Sequence, residues 1–565
     1  MSTNLSKEKR KDLLGKIEEI RKFLTASAYD ENAQKLARYL NDLSAEINGK
    51  KYGLVFEEHR EAIDETLDKN LPVLTEEKKL FVDNGGEMNF LLEGDNLASL
   101  QLLEKTHKGK IDVIYIDPPY NTLKNEKDDF TYDDVRIDKT DTFAHSKWLS
   151  FMEKRLTIAN NLLSSKGCIF VSIDDHELSN LRLLMDNVFG EQNFLCDIIW
   201  NSTKSVTNTA VVSVSHTYNL VYFKDINYII KNRTEFRIPE SGEGFDNPDN
   251  DPRGPWKADP FQVGGWRPNQ QYEIKNPNTG VVYTPNKDCS WKNDYKKFQE
   301  LLADNRIVFG KNGTGGPQRK RFIWEAEERG RVVKTIWDDV DTTTNGTQEL
   351  KKIFNGEAPF SNPKPVNFLQ RIFELASNSN STILDFFAGS GTTGHAVLKL
   401  NSEDGGNRKF ILCTNNENNI CRDITYQRVK TVITGKRKDG SVYSKGLSGS
   451  LKYFRVDFVP VEEREYYEYA DKLLLHVREL VELENAVNFA KNKKIAIVLT
   501  DEELEKFIKK IVGSSPTMTK EADSTIQTLY LGHDVLLDKE QKSLFKENGI
   551  KIKIIPQYYY PELNG

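Results

Sequence analysis

The sequence lacks the features that would place it in several large classes of protein. Its 565 residues include five cysteines, an odd number with no CxxC pair, so neither a disulfide framework nor a cysteine-based zinc site is predicted. There is no run of about 18 apolar residues, and the first residues, MSTNLSKEKRKDLLGK, lack the apolar core of a signal peptide. We therefore expect a soluble protein of the reducing cytoplasm, with no membrane contact.

The chain also lacks an excess of positive charge, since its formal net charge is −6. This balance does not exclude an enzyme of nucleic acids, because such enzymes often confine their positive charge to one cleft. With 38% apolar and 10% aromatic residues, the chain can bury a large core. Its length suits about two to four domains.

Short apolar segments alternate with helical patterns in two parts of the chain, residues 90–224 and 366–415. Such alternation predicts an α/β fold with a mostly parallel, doubly wound sheet. Residues 225–355 are instead rich in Gly, Pro and Asn, which predicts a loop-rich insertion with short strands.

We divide the chain into five segments on this basis. The terminal segments carry no chemical motif, and we expect them to serve subunit contacts. The segments are a helical N-terminus (1–70), the first half of the α/β domain (71–224), the insertion (225–355), the second half (356–450) and a small α/β C-terminal domain (451–565).

The first chemical motif ends a predicted buried strand. In GKIDVIYIDPPYNT, residues 109–122, the apolar residues 113–116 are followed by Asp117, Pro118, Pro119 and Tyr120. Two successive prolines remove two N–H donors and fix φ twice, so this corner is stiff. It holds a carboxylate and an aromatic ring at a fixed separation, as a substrate-binding corner requires.

The second motif is TILDFFAGSGTTGHAV, residues 382–397, in which a strand ends at Asp385 and a helix follows a glycine-rich turn. Glycines let a ligand approach the backbone, and the first turn of a helix presents N–H groups. The lysine of the GxxxxGK[ST] pattern is missing, so ATP is not predicted. An acid ahead of FxGxG fits a nucleoside without phosphate, such as S-adenosylmethionine. The turn comprises Phe387, Ala388, Gly389, Ser390, Gly391 and Thr392.

Together with EGDN (93–96) and NPKP (362–365), the two motifs resemble those of the amino-methylating DNA methyltransferases in which the catalytic tetrapeptide precedes the glycine loop. The resemblance covers about residues 90–430 and includes IFVSIDDHE, SHTYNLVYFK and FILCTNNENNICRDITYQRV. Within that class the chain looks most like the modification subunits of type III restriction–modification systems.

The resemblance implies a Rossmann-like methyltransferase that uses S-adenosylmethionine, binds double-stranded DNA and methylates a base rotated out of the duplex. Asp117 and the Pro118 carbonyl would accept hydrogen bonds from the exocyclic amine, and Tyr120 would stack on the base. Asp rather than Ser at the first position favours adenine N6 over cytosine N4. The cofactor would also contact Asp95, Lys364, Pro365 and Glu417. A homodimer and a separate ATP-dependent helicase–nuclease subunit are the implied partners.

Several residues have two interpretations. Asn416 competes with Glu417 for the cofactor ribose, whose acid is expected past a strand of a doubly wound sheet. Phe387 suits the core as well as the cofactor pocket, and His216 with Tyr218 suit the core as well as the flipped base. Asp174, Asp175 and His176 resemble a metal cluster, but the reaction needs no metal and we interpret them as strand-end caps.

The insertion supplies cations and aromatic groups that suit contact with DNA, and we expect it to be the target-recognition region. These residue types do not specify which DNA sequence the insertion recognises. Two alternatives stay open for the whole protein: a solitary amino-methyltransferase for adenine or cytosine, and an inactive DNA-binding specificity subunit. The candidate DNA contacts are Arg253, Trp256, Lys257, Arg267, Arg319, Lys320 and Arg321.

Overall fold

The computed structural model describes residues 13–22, 56–122, 143–310, 312–461, 471–489, 492–512 and 526–560, with positions 36, 39–40 and 43–44 between the first two ranges. The chain divides into two compact units, Met1–Glu57 and Glu58–Gly565. In the first unit residues 13–22 are helical, as predicted, with Ile17 buried. The rest of the predicted helical N-terminus up to residue 55 lies mostly outside the described residues.

Residues 58–224 form the first half of the α/β domain. Helix α2 begins at Asn96 because the Asp95 carboxylate caps the N–H groups of Leu97 and Ala98. The strands are β1 (Asn70–Glu76), β2 (Val82–Asp83), β3 (Met88–Glu93), β4 (Ile111–Ile116), β5 (Leu163–Ile173), β6 (Phe194–Trp200) and β7 (Thr217–Phe223). The helices are α1 (Ala62–Lys69), α2 (Asn96–His107), α3 (Ala144–Leu162) and α4 (Leu178–Met185).

The insertion has a small hydrophobic core of its own, in which Phe261, Trp291 and Phe298 are buried. It contains three small sheets, β13-β14-β8, β12-β9 and β10-β11. Its elements are α5 (Ile226–Lys231), β8 (Trp256–Pro260), β9 (Gln262–Gly264), β10 (Ile274–Lys275), β11 (Val282–Tyr283), β12 (Cys289–Trp291), α6 (Tyr295–Ala303), β13 (Ile307–Val308), β14 (Gln318–Phe322) and α7 (Ile323–Arg329).

The second half of the domain begins before residue 356, since β15 pairs with β6 of the central sheet. It also continues past residue 450, because β18 pairs with β3. Its elements are β15 (Ile336–Trp337), α8 (Thr343–Ile353), α9 (Val366–Ala376), β16 (Thr382–Asp385), α10 (Thr392–Asp404), β17 (Lys409–Thr414), α11 (Tyr426–Thr434) and β18 (Ser450–Pro460).

The two halves build one eleven-stranded sheet in the order β1-β18-β3-β17-β16-β4-β5-β7-β6-β15, with β2 beside β18. The strands from β18 to β5 run parallel, and β7 is antiparallel to both neighbours. Val113 and Tyr115 of β4 share a buried cluster with α9 and α10, and alternation turns Ile114 and Ile116 to the opposite face. The predicted doubly wound α/β class is confirmed.

Beyond β18 a separate parallel sheet, β19-β20-β21, has its own hydrophobic cluster. Glu484 joins it to the main domain: its carboxylate accepts hydrogen bonds from Tyr530, Tyr558 and Tyr559 and pairs with Lys110 at 3.2 Å. The elements are α12 (Val477–Asn485), β19 (Ile495–Val498), α13 (Asp501–Val512), β20 (Thr528–Gly532), α14 (Lys539–Glu547) and β21 (Lys551–Ile555). No helix in the described part of the chain is long and apolar enough to cross a membrane.

Candidate active site

Four neighbouring parallel strands deliver the predicted site residues to one edge of the sheet. In the order β3-β17-β16-β4, their carboxyl ends lead to Asp95, Glu417, Asp385 and Asp117. The two motifs lie side by side because β16 pairs with β4, with Leu384 opposite Ile114. Ligands of open α/β sheets bind outside the carboxyl ends of the strands, so this edge is the candidate active site.

The tetrapeptide after β4 forms a hydrogen-bonded unit. The Tyr120 hydroxyl donates to Asp117 Oδ1 at 2.8 Å, and the Lys364 ammonium lies 2.5 Å from Asp117 Oδ2 and 3.0 Å from the Tyr120 hydroxyl. The buried Trp148 indole donates to the Pro119 carbonyl at 2.7 Å and fixes the corner from the α3 side. Burial, reinforced by the charge of Asp117, raises the pKa of Tyr120 well above its ordinary value. Tyr120 is therefore a hydrogen-bonding phenol at neutral pH.

The residue after the tetrapeptide, Asn121, has a left-handed backbone conformation with φ 55°. Its amide donates to Glu177 Oε1 at 2.5 Å, and the buried Glu177 carboxylate also accepts from the Asn180 amide at 2.8 Å. This contact ties the exit of the corner to the start of α4. Sequence reasoning missed Glu177, whose only signal is its place beside the strand-end acids.

Lys364, which the resemblance assigns to the cofactor pocket, contacts the Asp117–Tyr120 tetrapeptide in this structure. Its side chain is 11% exposed and its ammonium also lies 5.4 Å from the centre of the Tyr120 ring. Pro365, the other predicted member of this pair, is buried at the N-terminus of α9. The segment therefore joins the two motifs, which sequence spacing alone did not indicate.

The glycine turn after β16 depends on conformations that favour glycine. Gly389 has φ 49° and Gly391 has φ 76°. A Cβ atom on Gly389 would lie 3.1 Å from the Phe360 ring, and one on Gly391 would lie 3.2 Å from the Thr425 carbonyl oxygen. Larger side chains at these positions would clash with Phe360 or Thr425 whether or not a ligand is bound. Such substitutions would therefore disturb the fold and would not report on ligand binding alone.

Asp385 is buried at the end of β16 and holds the turn. Its carboxyl oxygens accept hydrogen bonds from the Phe387 N–H at 3.0 Å and the Thr393 hydroxyl at 2.6 Å. Burial raises the pKa of Asp385 to about 7; the charge of Asp117 adds to this rise, whereas both hydrogen bonds oppose it. A cation bound nearby would favour the ionised form.

The side chains of the turn point mostly into the protein. Ser390 and Thr392 accept hydrogen bonds from Arg428 at 3.0 and 2.7 Å. Burial lowers the pKa of Arg428 to about 10. Phe387 packs against Phe151 with ring centres 5.9 Å apart, as in the core interpretation. A ligand here would meet the main chain of the turn, including that of Ala388, rather than these side chains.

Two residues that sequence reasoning missed connect Asp95 to the glycine turn. The Asn96 amide donates to the Phe386 carbonyl at 3.0 Å, across the two strand ends. Arg155 is fully buried, donates to Asn96 Oδ1 at 2.5 Å and binds both carboxylate oxygens of Glu61 at 2.9 Å. Asp95 itself lies 3.6 Å from the Arg155 guanidinium and is partly exposed. The cap is therefore fixed beside the turn, with its carboxylate accessible.

Beyond β17, Glu417 is half-buried at the start of a short helical turn, Glu417–Asn419. The competing Asn416 accepts a hydrogen bond from the Arg422 N–H at 3.1 Å. That bond closes the loop and gives Asn416 a local role.

The other strand-end residues form local hydrogen bonds. Asp174 accepts from the His176 N–H at 3.0 Å, as expected of a cap. The Tyr218 hydroxyl donates to Asp175 at 3.0 Å and lies 2.9 Å from the His216 ring. Both groups are at the same edge of the sheet as the tetrapeptide, since β5 lies beside β4 and runs parallel to it, and the antiparallel β7 begins where β5 ends.

Three of the predicted DNA contacts instead take part in a polar network around the buried Lys320 and Asp251. Lys320 has no exposed surface and pairs with Asp249 and, at 3.0 Å, with Asp251. Arg253 binds both oxygens of Asp251 at 2.8 Å, and the Trp256 indole donates to Asp249 at 2.8 Å. Lys320 as a DNA contact is wrong, because an ion-paired lysine inside the insertion cannot reach a phosphate.

The other predicted contacts are closer to solvent. Lys257 and Arg267 are exposed, Arg319 is 38% exposed, and Arg321 pairs with Asp259 at 3.0 Å. Strand alternation in β14 explains the difference, since Lys320 and the buried Phe322 face inward while Arg319 and Arg321 face outward. That period of two was the signal that sequence reasoning overlooked.

A cavity of about 590 Å³ lies within the insertion, between residues 237–259 and residues 321–332. Cations outnumber acids around it, which gives it a positive lining. Sequence reasoning missed three of these cations, because they are separated along the chain. The lining includes Arg237, Lys257, Arg321, Arg329 and Arg331 together with Glu240, Glu243 and Asp259.

A doubly wound sheet with an acid-Pro-Pro-Tyr corner beside a glycine turn defines a class of nucleoside-binding transferases. A family model described as DNA methylase matches residues 111–427, and the chain belongs to this family. The family assignment made from the motifs is therefore confirmed.

The chain is similar to three named proteins. It is 34% identical over 435 residues to the Mod subunit of the type III restriction-modification enzyme StyLTI of Salmonella typhimurium. The aligned region covers 69% of this chain and 64% of that protein. It is 34% identical over 347 residues to the type II methyltransferase M.KpnI of Klebsiella pneumoniae, covering 57% and 79%. It is 32% identical over 387 residues to the EcoPI Mod subunit of Escherichia phage P1, covering 59% and 58%. The chain thus spans less than two thirds of both Mod subunits.

Proposed function

We propose that the protein transfers a methyl group from S-adenosylmethionine to the N6 amino group of adenine in double-stranded DNA. The observation that carries this proposal is the Asp117–Tyr120 corner held beside the glycine turn by paired strands. The family membership and the Asp at the first position of the corner support it.

The residues at the strand ends fit this cofactor. Its sulfonium and amino groups are cationic, and half-buried or buried acids surround the turn at Asp95, Asp385 and Glu417. Acids of this kind also suit ribose hydroxyls, and Lys364 suits a carboxylate. When bound, the cofactor supplies an electrophilic methyl group.

The corner would act on the amine of a base rotated out of the duplex. That amine is a poor nucleophile because its lone pair is delocalised into the ring. Asp117 and the Pro118 carbonyl would each accept one amine hydrogen, draw the nitrogen toward a tetrahedral shape and free the lone pair. The bound cofactor would supply the methyl group, and the surplus amine proton would pass to the Asp117 carboxylate that accepts its hydrogen bond, and from there to water. Positioning and preorganised charge supply most of the acceleration.

We further propose that the protein is the modification and recognition subunit of a type III restriction–modification system. Similarity to two Mod subunits supports this setting. A separate helicase–nuclease subunit would then perform cleavage. The similarity to M.KpnI, which extends over 79% of that enzyme, favours a solitary methyltransferase as the second candidate. Co-purification with the product of an adjacent helicase–nuclease gene would decide between them.

The insertion is the proposed target-recognition region, because it has its own hydrophobic core, exposed cations and a cavity around which cations outnumber acids. We expect the combined Lys257→Ala, Arg267→Ala and Arg319→Ala substitutions to weaken DNA binding and to lower its salt dependence, since fewer counterions are released. Fluorescence anisotropy on duplex DNA over a range of salt concentrations measures both quantities. Lys399→Ala on α10 is the matched control. An unchanged salt slope with unchanged affinity would place recognition elsewhere.

A homodimer is the proposed assembly, with the N-terminal segment and the C-terminal domain as candidate contacts. We expect light scattering of the full chain at micromolar concentration to give about twice the 64.8 kDa chain mass. A monomer mass that is independent of concentration would contradict this assembly.

A further inference from the structure

Asp117 is shared between two partners in this structure. Oδ1 accepts the Tyr120 hydroxyl and Oδ2 is paired with the Lys364 ammonium. Asp117 is 30% exposed whereas Lys364 is 11% exposed, so the pair is partly shielded from water. A base amine that needs this carboxylate therefore competes with an ion pair already made.

The backbone that carries Lys364 has little room to move. A Cβ atom on Gly346 of α8 would lie 2.2 Å from the Pro363 carbonyl oxygen and 3.0 Å from the Lys364 carbonyl carbon, so the two segments are in close contact. The Val366 N–H, two residues on, donates to Glu349 Oε2 at 2.9 Å. Only the flexible side chain of Lys364 can change partner.

The same segment also reaches the glycine turn. Phe360, four residues before Lys364, places its ring over Gly389. The ammonium of Lys364 is therefore carried on a segment that contacts both motifs. A cation on this segment, paired with Asp117, is placed to serve a second carboxylate that enters the site beside the turn.

We propose that Lys364 is a positioning residue that exchanges between the carboxylate of Asp117 and the carboxylate at the methionine end of the cofactor. This inference rests on the proposed function. Cofactor binding would then withdraw the ammonium and leave Oδ2 of Asp117 for the target amine. The base is thus accepted by a site that already holds the methyl donor.

The exchange predicts a coupling that can be measured without DNA. Binding of a ligand carboxylate must break the ion pair with Asp117, so removal of that charge strengthens binding. The two thioether nucleosides S-adenosylhomocysteine and 5′-methylthioadenosine report this effect, since only the first has the amino-acid end and neither has a sulfonium. Loss of the Asp117 charge would weaken a contact with the ammonium of that end and strengthen one with its carboxylate, so tighter binding identifies the carboxylate. We expect Asp117→Asn to bind S-adenosylhomocysteine about three- to tenfold more tightly and methylthioadenosine unchanged, from the strength of partly exposed ion pairs.

Calorimetry on the full chain gives four affinities, those of wild type and Asp117→Asn for S-adenosylhomocysteine and for methylthioadenosine. Lys364→Met should weaken S-adenosylhomocysteine alone by about tenfold, and in the double variant the gain from Asp117→Asn should disappear. Asp423→Asn, an exposed residue paired with Lys438, is the matched control and should change neither affinity. The Asp117→Asn comparison stands even where Lys364→Met fails to fold.

The outcomes separate this inference from the proposed function. A wild-type protein that binds S-adenosylhomocysteine, with Asp117→Asn leaving both affinities unchanged or shifting both equally, would overturn the exchange alone. A wild-type protein that binds neither nucleoside nor S-adenosylmethionine would overturn the proposed function and the exchange together.

Discussion

The Asp117→Ala variant is expected to lose methyl transfer by at least about 10²–10³-fold, because the side chain supplies a preorganised charged contact to the reacting amine. Loss of such a contact corresponds to roughly 3–4 kcal/mol of transition-state stabilisation. Single-turnover transfer of labelled methyl groups to duplex DNA measures the effect directly. Binding of DNA should persist, since the proposed recognition region lies elsewhere in the chain.

The matched control for this variant is Asp423→Ala, which removes an exposed aspartate paired with Lys438 and should retain full transfer. Thermal unfolding of both variants checks that the sheet is intact. An Asp117→Ala protein that is folded and transfers methyl groups at a near-normal rate would remove Asp117 from the mechanism.

The Lys320→Ala variant is expected to destabilise the insertion by about 2–4 kcal/mol, because it leaves the buried Asp251 without one of its cations. The expected result is a lower midpoint of thermal unfolding with faster hydrogen exchange across 245–325. Lys257→Ala, an exposed lysine on the paired strand β8, is the control and should stay within about 0.5 kcal/mol of the wild type.

The pH dependence of this effect follows from Asp251. Hydrogen bonds from Arg253, reinforced by Lys320, hold the pKa of Asp251 well below its ordinary value. A carboxylate with a depressed folded-state pKa stabilises the fold above its unfolded pKa of about 3.9, and this contribution is lost as the pH falls. The difference in free energy of unfolding between Lys320→Ala and wild type should therefore have its full size at neutral pH and should decrease below about pH 4. A variant as stable as wild type at pH 7 would show that the network is not structural.

The central sheet and the two motifs were predictable because their signals are local. The apolar run before Asp117 and the glycine turn after Asp385 each specify a strand end within a few residues. Adjacent parallel strands then bring the two ends together. The boundaries of the domain were harder to predict, since β15 is only two residues long and β18 pairs with β3, which is distant in sequence.

The contacts that hold the site together could not be predicted, because they join distant residues. Arg155 binds Glu61 and Asn96 from a helix interior, where an arginine ordinarily faces solvent. Lys364 meets Asp117 across 247 positions of sequence. Such pairs depend on the packing of the whole sheet, which a sequence pattern does not report.

The identity of the methylated base tests the proposed activity most directly. The purified protein is incubated with unmethylated genomic DNA and labelled S-adenosylmethionine, and the DNA is digested to nucleosides and separated. Label is expected in N6-methyladenine, and it should be lost with Asp117→Ala. Label in N4-methylcytosine would contradict adenine as the target, and no transfer to DNA of any sequence would contradict the proposed activity itself.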